Sequence, residues 1–206
     1  MFFADASGCH DWTHVERVRA LALRIGREEK ADLGIVEIAA LLHDIGRSYE
    51  IKKRSTKFCH AEMGAEMSVP ILEKYKIIKE DQENIIHCIL AHRNRNNHKP
   101  KTKEAKVVFD ADKLDSIGAI GVARDFLFAG IAGSKNLYTG NEKRLAKSKK
   151  DYSYTKEDSA VLEYEKMLKF VKDKMTTKSG KKIARKRDEF MKNYFRQFWL
   201  EVRGRQ

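Results

Sequence analysis

Apolar residues recur along most of the chain at helical spacing. Val18, Leu21, Ala22 and Ile25 fall at i, i+3, i+4 and i+7, which predicts a buried stripe on a helix from about Trp12 to Glu29, with Asp11 as its N-cap. Ile35, Ile38, Ala39, Leu41 and Leu42 predict a second helix buried over most of its circumference. It opens at Asp32 and Gly34, closes on the adjacent pair His43 and Asp44, and has Gly46 as its stop. A third helix is read from about His60 to Tyr75. There His60 shares a side with Gly64, Met67 and Ile71, and a kink is expected at Pro70. A fourth, from about Glu80 to Arg93, buries Ile85, Ile86, Ile89 and Leu90. The fifth, from Thr102 to Gly130, is apolar nearly all round, as suits the central helix of a bundle.

Beyond Gly133 the pattern loosens. Residues 134–153 show no period and are strongly basic, so they read either as a flap able to approach phosphates or as plain disorder. Thr155 and Asp158 form a capping-box variant that predicts a helix to about Lys174. A last helix, from about Gly180 to Arg203, carries Phe190, Met191, Tyr194, Phe195, Phe198 and Trp199 as a core-facing stripe or, alternatively, a homodimer face. Alternating β-branched runs are scarce, and the fold expected is an all-α bundle of about seven helices. It forms one domain over residues 1–206, with a core at about 10–131 and a C-terminal helical extension at about 154–203.

Polar groups interrupt the apolar faces at a few places. An ionised group buried without a partner costs several kcal/mol, and His43 and Asp44 stand together at the end of an oily segment. A bound cation resolves that cost, but two neighbours supply at most two ligands. His14, one turn before Val18 on the first stripe, and Asp112, in the fifth helix, complete a set of four. Asp115 shares a flank with Asp112, and Lys113 lies between them. Asp110 projects about 160° from Asp112 and is expected to meet a basic group elsewhere. Arg17, three residues after His14, can face the same small anion. His60 points inward, toward metal, phosphate or a plain helix start, His92 lies at the edge of the fourth stripe, and His87 falls on its solvated side.

Lysine and arginine outnumber the acids 42 to 30, a net charge of +12, which favours an anionic partner: nucleotide, nucleic acid or an acidic surface. The run KSGKKIARKR is a solvated helix face and the best candidate for a nucleic-acid footprint. The three cysteines are too few and too scattered for a disulfide framework and read as small apolar residues in a reducing compartment. No apolar stretch suits a membrane span and no secretory leader is recognised, so the expected location is the cytoplasm, away from membranes.

The segments HDWTHVERV, AALLHDIGR and DADKLDSIGAIGVAR carry His14, His43 with Asp44, and Asp112 in that order. With them the chain resembles the HD superfamily of metal-dependent phosphohydrolases over roughly residues 10–200, in particular small bacterial and archaeal members that include nucleoside triphosphate pyrophosphohydrolases. The resemblance implies that His14, His43, Asp44 and Asp112 hold a divalent metal. Manganese is the first choice for two imidazoles and two carboxylates, with Mg²⁺, Fe, Co and Ni as alternatives. It also implies Asp44 or Asp115 as the group that orients or deprotonates water, and Arg17, His60, His92 and Lys113 as substrate contacts. His60 and His92 stand where some relatives place ligands to a second ion. Members that cleave the alarmone pyrophosphate carry acids shortly after the HD pair, whereas this chain has Arg47, Ser48 and Tyr49. The expected activity is hydrolysis of a nucleoside triphosphate to monophosphate and pyrophosphate. The alternatives are a nucleoside monophosphatase or phosphodiesterase on the same centre, and a nucleic-acid-binding protein whose metal site is not catalytic.

Overall fold

A computed structural model of the chain describes residues 9, 11–47, 59–94, 97–152 and 155–206. His10, most of the basic connection after Arg47, and Arg95 and Asn96 lie outside the described residues. All nine α-helices among the described residues, and one 3-10 segment, belong to two compact units. One unit comprises the chain up to Asp112 together with Thr176–Gly180, and the other comprises Lys113–Met175 and Lys181–Gln206.

In the first unit, α1 (Trp12–Glu29) starts where Asp11 accepts the His14 N–H through its side chain, and it ends at Lys30 in the left-handed conformation. α2 (Leu33–Leu42) starts at Asp32, whose carboxylate takes the N–H groups of Gly34 and Ile35. These caps satisfy donors that a helix start leaves without partners. α3 (His60–Lys74) and α4 (Lys79–Ala91) follow, then α5 (Lys103–Asp115), whose start is capped by Thr102 Oγ1 on the Ala105 N–H. Helix α2 packs against α1 and α4, and α3 packs against α4. The expected stripes meet in the core: Val18, Ala22, Ile25, Val36, Ala39, Ile85, Ile89, Val107 and Val108 are buried. Gly46 acts through space. A Cβ there would collide with the His60 carbonyl and come within 2.7 Å of the Gly64 nitrogen, so a glycine is what lets the end of the α2 segment lie against α3.

Asp110 corrects one expectation. It is buried in this unit, but its partners are uncharged. Thr176 donates its N–H and Oγ1–H to Oδ1 at 2.9 and 3.0 Å, and Thr177 donates its N–H and Oγ1–H to Oδ2 at 2.8 and 2.6 Å. Four neutral donors solvate the carboxylate in place of a cation. Burial still raises its pKa above the usual carboxylate value, and these hydrogen bonds oppose that rise.

The long fifth helix expected from Thr102 to Gly130 is two helices. The break lies at Ser116 and Ile117, before α6 (Gly118–Ile131). Ser116 Oγ–H donates back to the Lys113 carbonyl, Ile117 is extended, and Gly118 takes φ +84°, which favours glycine. In the second unit the basic stretch contains a short helix, α7 (Glu142–Leu145), pinned by buried Glu142 and Leu145. The next helix, α8 (Ala160–Lys166), begins later than predicted because Ser159, rather than Thr155, supplies the cap, to the Leu162 N–H. It gives way at Met167 to a 3-10 segment, Leu168–Lys174. Thr155 Oγ1 instead donates to the Tyr152 carbonyl. In the final helix, α9 (Lys178–Val202), Met191 and Phe195 are buried while Phe190 and Tyr194 are exposed, so the aromatic stripe is core only in part. Cys9 and Cys88 are buried, and none of the three cysteines forms a disulfide among the described residues. No helix among the described residues is long and apolar enough to cross a membrane.

Candidate metal centre

Six ionisable side chains converge inside the first unit. His14 comes from α1, His43 and Asp44 from the end of α2, His60 from the first position of α3, His92 from the end of α4 and Asp112 from α5. Asp112 is partly buried and the other five are almost fully buried.

They form two trios joined by one carboxylate. In the first, His14 Nε2 lies 3.4 Å from His43 Nε2 and 3.5 Å from Asp112 Oδ1, and the latter two atoms are 3.8 Å apart. A triangle with these sides has a circumradius of about 2.1 Å, the length of a bond from such donors to a divalent ion. In the second, Asp44 Oδ1 lies 3.2 Å from His60 Nε2 and 3.6 Å from His92 Nε2, with the two nitrogens 3.1 Å apart. Its circumradius is about 1.9 Å, so an ion would sit slightly above the plane of the donors. The other oxygen of Asp44, Oδ2, faces the first trio at 3.8 Å from His14 and 4.0 Å from His43.

Proton placement on one histidine of each trio favours a cation at this centre. A carbonyl oxygen only accepts, so His43 Nδ1, 2.7 Å from the Ala40 carbonyl, carries the ring proton, as does His92 Nδ1, 2.6 Å from the Ile89 carbonyl. Burial, the largest influence on both, lowers the His43 pKa and pushes His92 down to about 4, so the rings are neutral near pH 7. The His43 Nε2 lone pair therefore faces Asp112 Oδ1 and the His92 Nε2 lone pair faces Asp44 Oδ1, both of them acceptors. Such an arrangement repels itself until a positive charge enters it, and imidazole with carboxylate is a donor set suited to divalent first-row metals. The residues present fit the ion that the sequence implied.

Arg47 is the participant that sequence reasoning missed. Its Nη1 donates to His60 Nδ1 at 3.0 Å, and its Nε lies 3.4 Å from Asp44 Oδ2. Its spacing three residues after Asp44 was the available signal, but its other partner is thirteen residues away and cannot be read from local spacing. The contact also has a chemical consequence: while Arg47 donates to Nδ1, a neutral His60 carries its proton on Nε2. His60 can offer Nε2 to a cation only once Nδ1 takes the proton and Arg47 turns aside.

The remaining candidates are placed as follows. Arg17 lies one turn beyond His14, and its Nη1 donates to Thr13 Oγ1 at 3.0 Å. Asp115 is buried in the second unit and receives Arg124 Nη1 at 2.6 Å. Lys113 opens that unit, and its carbonyl accepts the N–H and Oγ–H of Ser116. His87 stands outside both trios, its Nε2 accepting the Lys101 N–H at 3.0 Å.

Comparison with known proteins identifies the family. The HD domain family matches residues 11–117. YpgQ of Bacillus subtilis is 35% identical over 204 residues, covering 97% of this chain and 88% of that protein. Its crystal structure in complex with ADP superposes with a TM-score of 0.71, covering 94% of this chain and 90% of that one. An HD-superfamily hydrolase from Bacillus thuringiensis is 30% identical, with a TM-score of 0.70 over 97% of this chain and 89% of its own.

Proposed function

Starting from a chain that belongs to the HD superfamily and is a metal-dependent hydrolase, we propose that its substrate is a nucleotide and that it cleaves a phosphoanhydride or phosphoester bond. The reaction favoured first is conversion of a nucleoside triphosphate to monophosphate and pyrophosphate. The observation that carries the reading is the pair of buried donor trios joined through Asp44, in which the His43 and His92 lone pairs face carboxylate oxygens. A relative crystallised with ADP supports a nucleotide over other phosphorylated small molecules.

In this reading His14, His43, Asp44 through Oδ2, and Asp112 hold the ion, with Mn²⁺ as first choice. Asp44 Oδ1, His60 and His92 form a second position. A divalent ion bound there supplies Lewis acidity toward a phosphoryl oxygen and makes a water more acidic near neutral pH. The protein's own contribution is orientation and charge. The Ala40 and Ile89 carbonyls fix the His43 and His92 rings with Nε2 directed inward. Arg47, Arg17 and Lys113 are proposed as the positive charge set against the phosphate, which gains negative charge as the bond breaks. Asp44 is proposed to orient the attacking water and receive its proton, with Asp115, held by Arg124, as the alternative.

The test is a nucleotide panel with identified products. Metal-stripped protein should be inactive, and Mn²⁺ should restore turnover. Pyrophosphate release marks the favoured reaction, orthophosphate from a monophosphate marks the phosphatase alternative, and ring opening of a cyclic nucleotide marks the diesterase. His43→Ala and Asp44→Ala should each remove activity by at least about 10³-fold while retaining the helical circular-dichroism spectrum. Full Mn²⁺-dependent activity in both variants rejects the assignment.

A further inference from the structure

The second unit contains a cavity of about 580 Å³ that shares no residue with the metal centre. Its cationic lining comes from two elements: Lys143 and Arg144 on α7, and Lys192, Arg196 and Arg203 on and just after α9. The ion pairs leave most of this charge available. Lys192 is held by Asp188 at 2.7 Å, and the acidic lining residue Glu165 is held by Lys169 at 2.8 Å. Lys143, Arg144, Arg196 and Arg203 have no acidic partner among the described residues.

The rest of the lining is unlike a simple anion patch. Tyr164 and Phe195 stack with ring centroids 4.0 Å apart, and Trp199 joins them at the cavity wall. Glu142 lies in the same lining and is almost fully buried. Its Oε1 accepts the N–H and the hydroxyl of Thr139, but its Oε2, also buried, has no hydrogen-bond partner among the described residues. A buried carboxylate oxygen left in that state carries a desolvation cost that a donor from outside would relieve.

We propose that this cavity is a second binding site, for a nucleotide held away from the metal centre: phosphates on the four uncommitted cations, the base against the aromatic wall, and a ligand N–H or O–H donated to Glu142 Oε2. The three features select together. Free phosphate or pyrophosphate would use the cations alone, a neutral aromatic would leave them without counter-charge, and only a molecule with an anionic end, a planar apolar body and a donor engages all three. The volume is within the range that encloses a ligand of this size. The inference stands independently of the reaction assigned to the metal centre.

Trp199 provides the readout, because Trp12 is the one other tryptophan in the chain. In full-length protein carrying Trp12→Phe, ADP should change Trp199 emission saturably and to the same extent with EDTA present or absent. Inorganic pyrophosphate and adenosine should each bind at least about tenfold more weakly. Arg144→Glu with Arg196→Glu should weaken ADP by about tenfold or more, and Glu142→Gln should weaken it by less, with the far-ultraviolet spectrum of each variant unchanged. Both variants should leave turnover without ADP at its basal rate. The proposal is overturned by the absence of a saturable change, by a change seen only without EDTA, by an unaltered ADP titration in the double variant, or by pyrophosphate matching ADP. Displacement of ADP by a single-stranded oligonucleotide at far lower concentration also overturns it, assigning the cationic surface to nucleic acid instead.

Discussion

At the scale of single residues, a polar side chain on an otherwise apolar face was the informative signal. His14, His43, Asp44 and Asp112 were legible because each interrupts a regular pattern at a position whose burial the pattern already fixed. Arg47 was not, because a charged residue just after a helix looks like surface until its nonlocal partner His60 is placed beside it. Asp125 was missed for a related reason. It sits on α6, is buried, and its Oδ2 finds no hydrogen-bond partner among the described residues. Burial, reinforced by Glu163 and Asp158, pushes its pKa up to about 9. The folded form thus holds a proton that the unfolded chain has released above about pH 4, so this residue favours folding at low pH and progressively opposes it as pH rises toward 9. Asp125→Asn, which stays neutral, should therefore be more stable than the parent by about 1–3 kcal/mol at pH 9, with the gain shrinking toward pH 5. Thermal melts at pH 5, 7 and 9 read it directly, and a pH-independent difference rejects it.

At the scale of elements, periodicity located helices well and divided them poorly. The stripe of α5 runs in phase into α6, so hydrophobicity alone gave one helix. The division depends on the backbone at Ile117 and Gly118, and apolar spacing carries no information about φ. The start of α8 was misplaced because two capping signals stand four residues apart and only Ser159 is followed by a continuous buried run, Ala160 to Leu162. Gly46 connects element packing to chemistry. Gly46→Ala changes no donor atom, yet its Cβ needs the space occupied by the His60 and Gly64 backbone of α3. It should cost about 1–3 kcal/mol in urea unfolding and weaken Mn²⁺ binding by about 10- to 100-fold, because it shifts His60 relative to Asp44. An unchanged metal titration rejects that coupling.

At the scale of the whole molecule, a metal that binds only the folded chain must add to stability. Mn²⁺ at about a hundred times its dissociation constant should add about 2.7 kcal/mol, raising Tm by roughly 5–10 °C for a chain of this size. EDTA should reverse the shift, and His43→Ala should abolish it. A Tm indifferent to Mn²⁺ argues against an internal ion. The unit that would hold that ion is also discontinuous along the chain, since Thr176 and Thr177 supply the four donors around Asp110 and the Ser179 N–H reaches Glu29. During synthesis on the ribosome, a nascent chain that has already emitted every ligand still lacks the threonines that solvate Asp110. Fragments cut after residue 117, although they contain all of the family-matching segment, should bury a carboxylate with none of those donors. The enzyme should therefore acquire its metal late, after the C-terminal helix has begun to emerge.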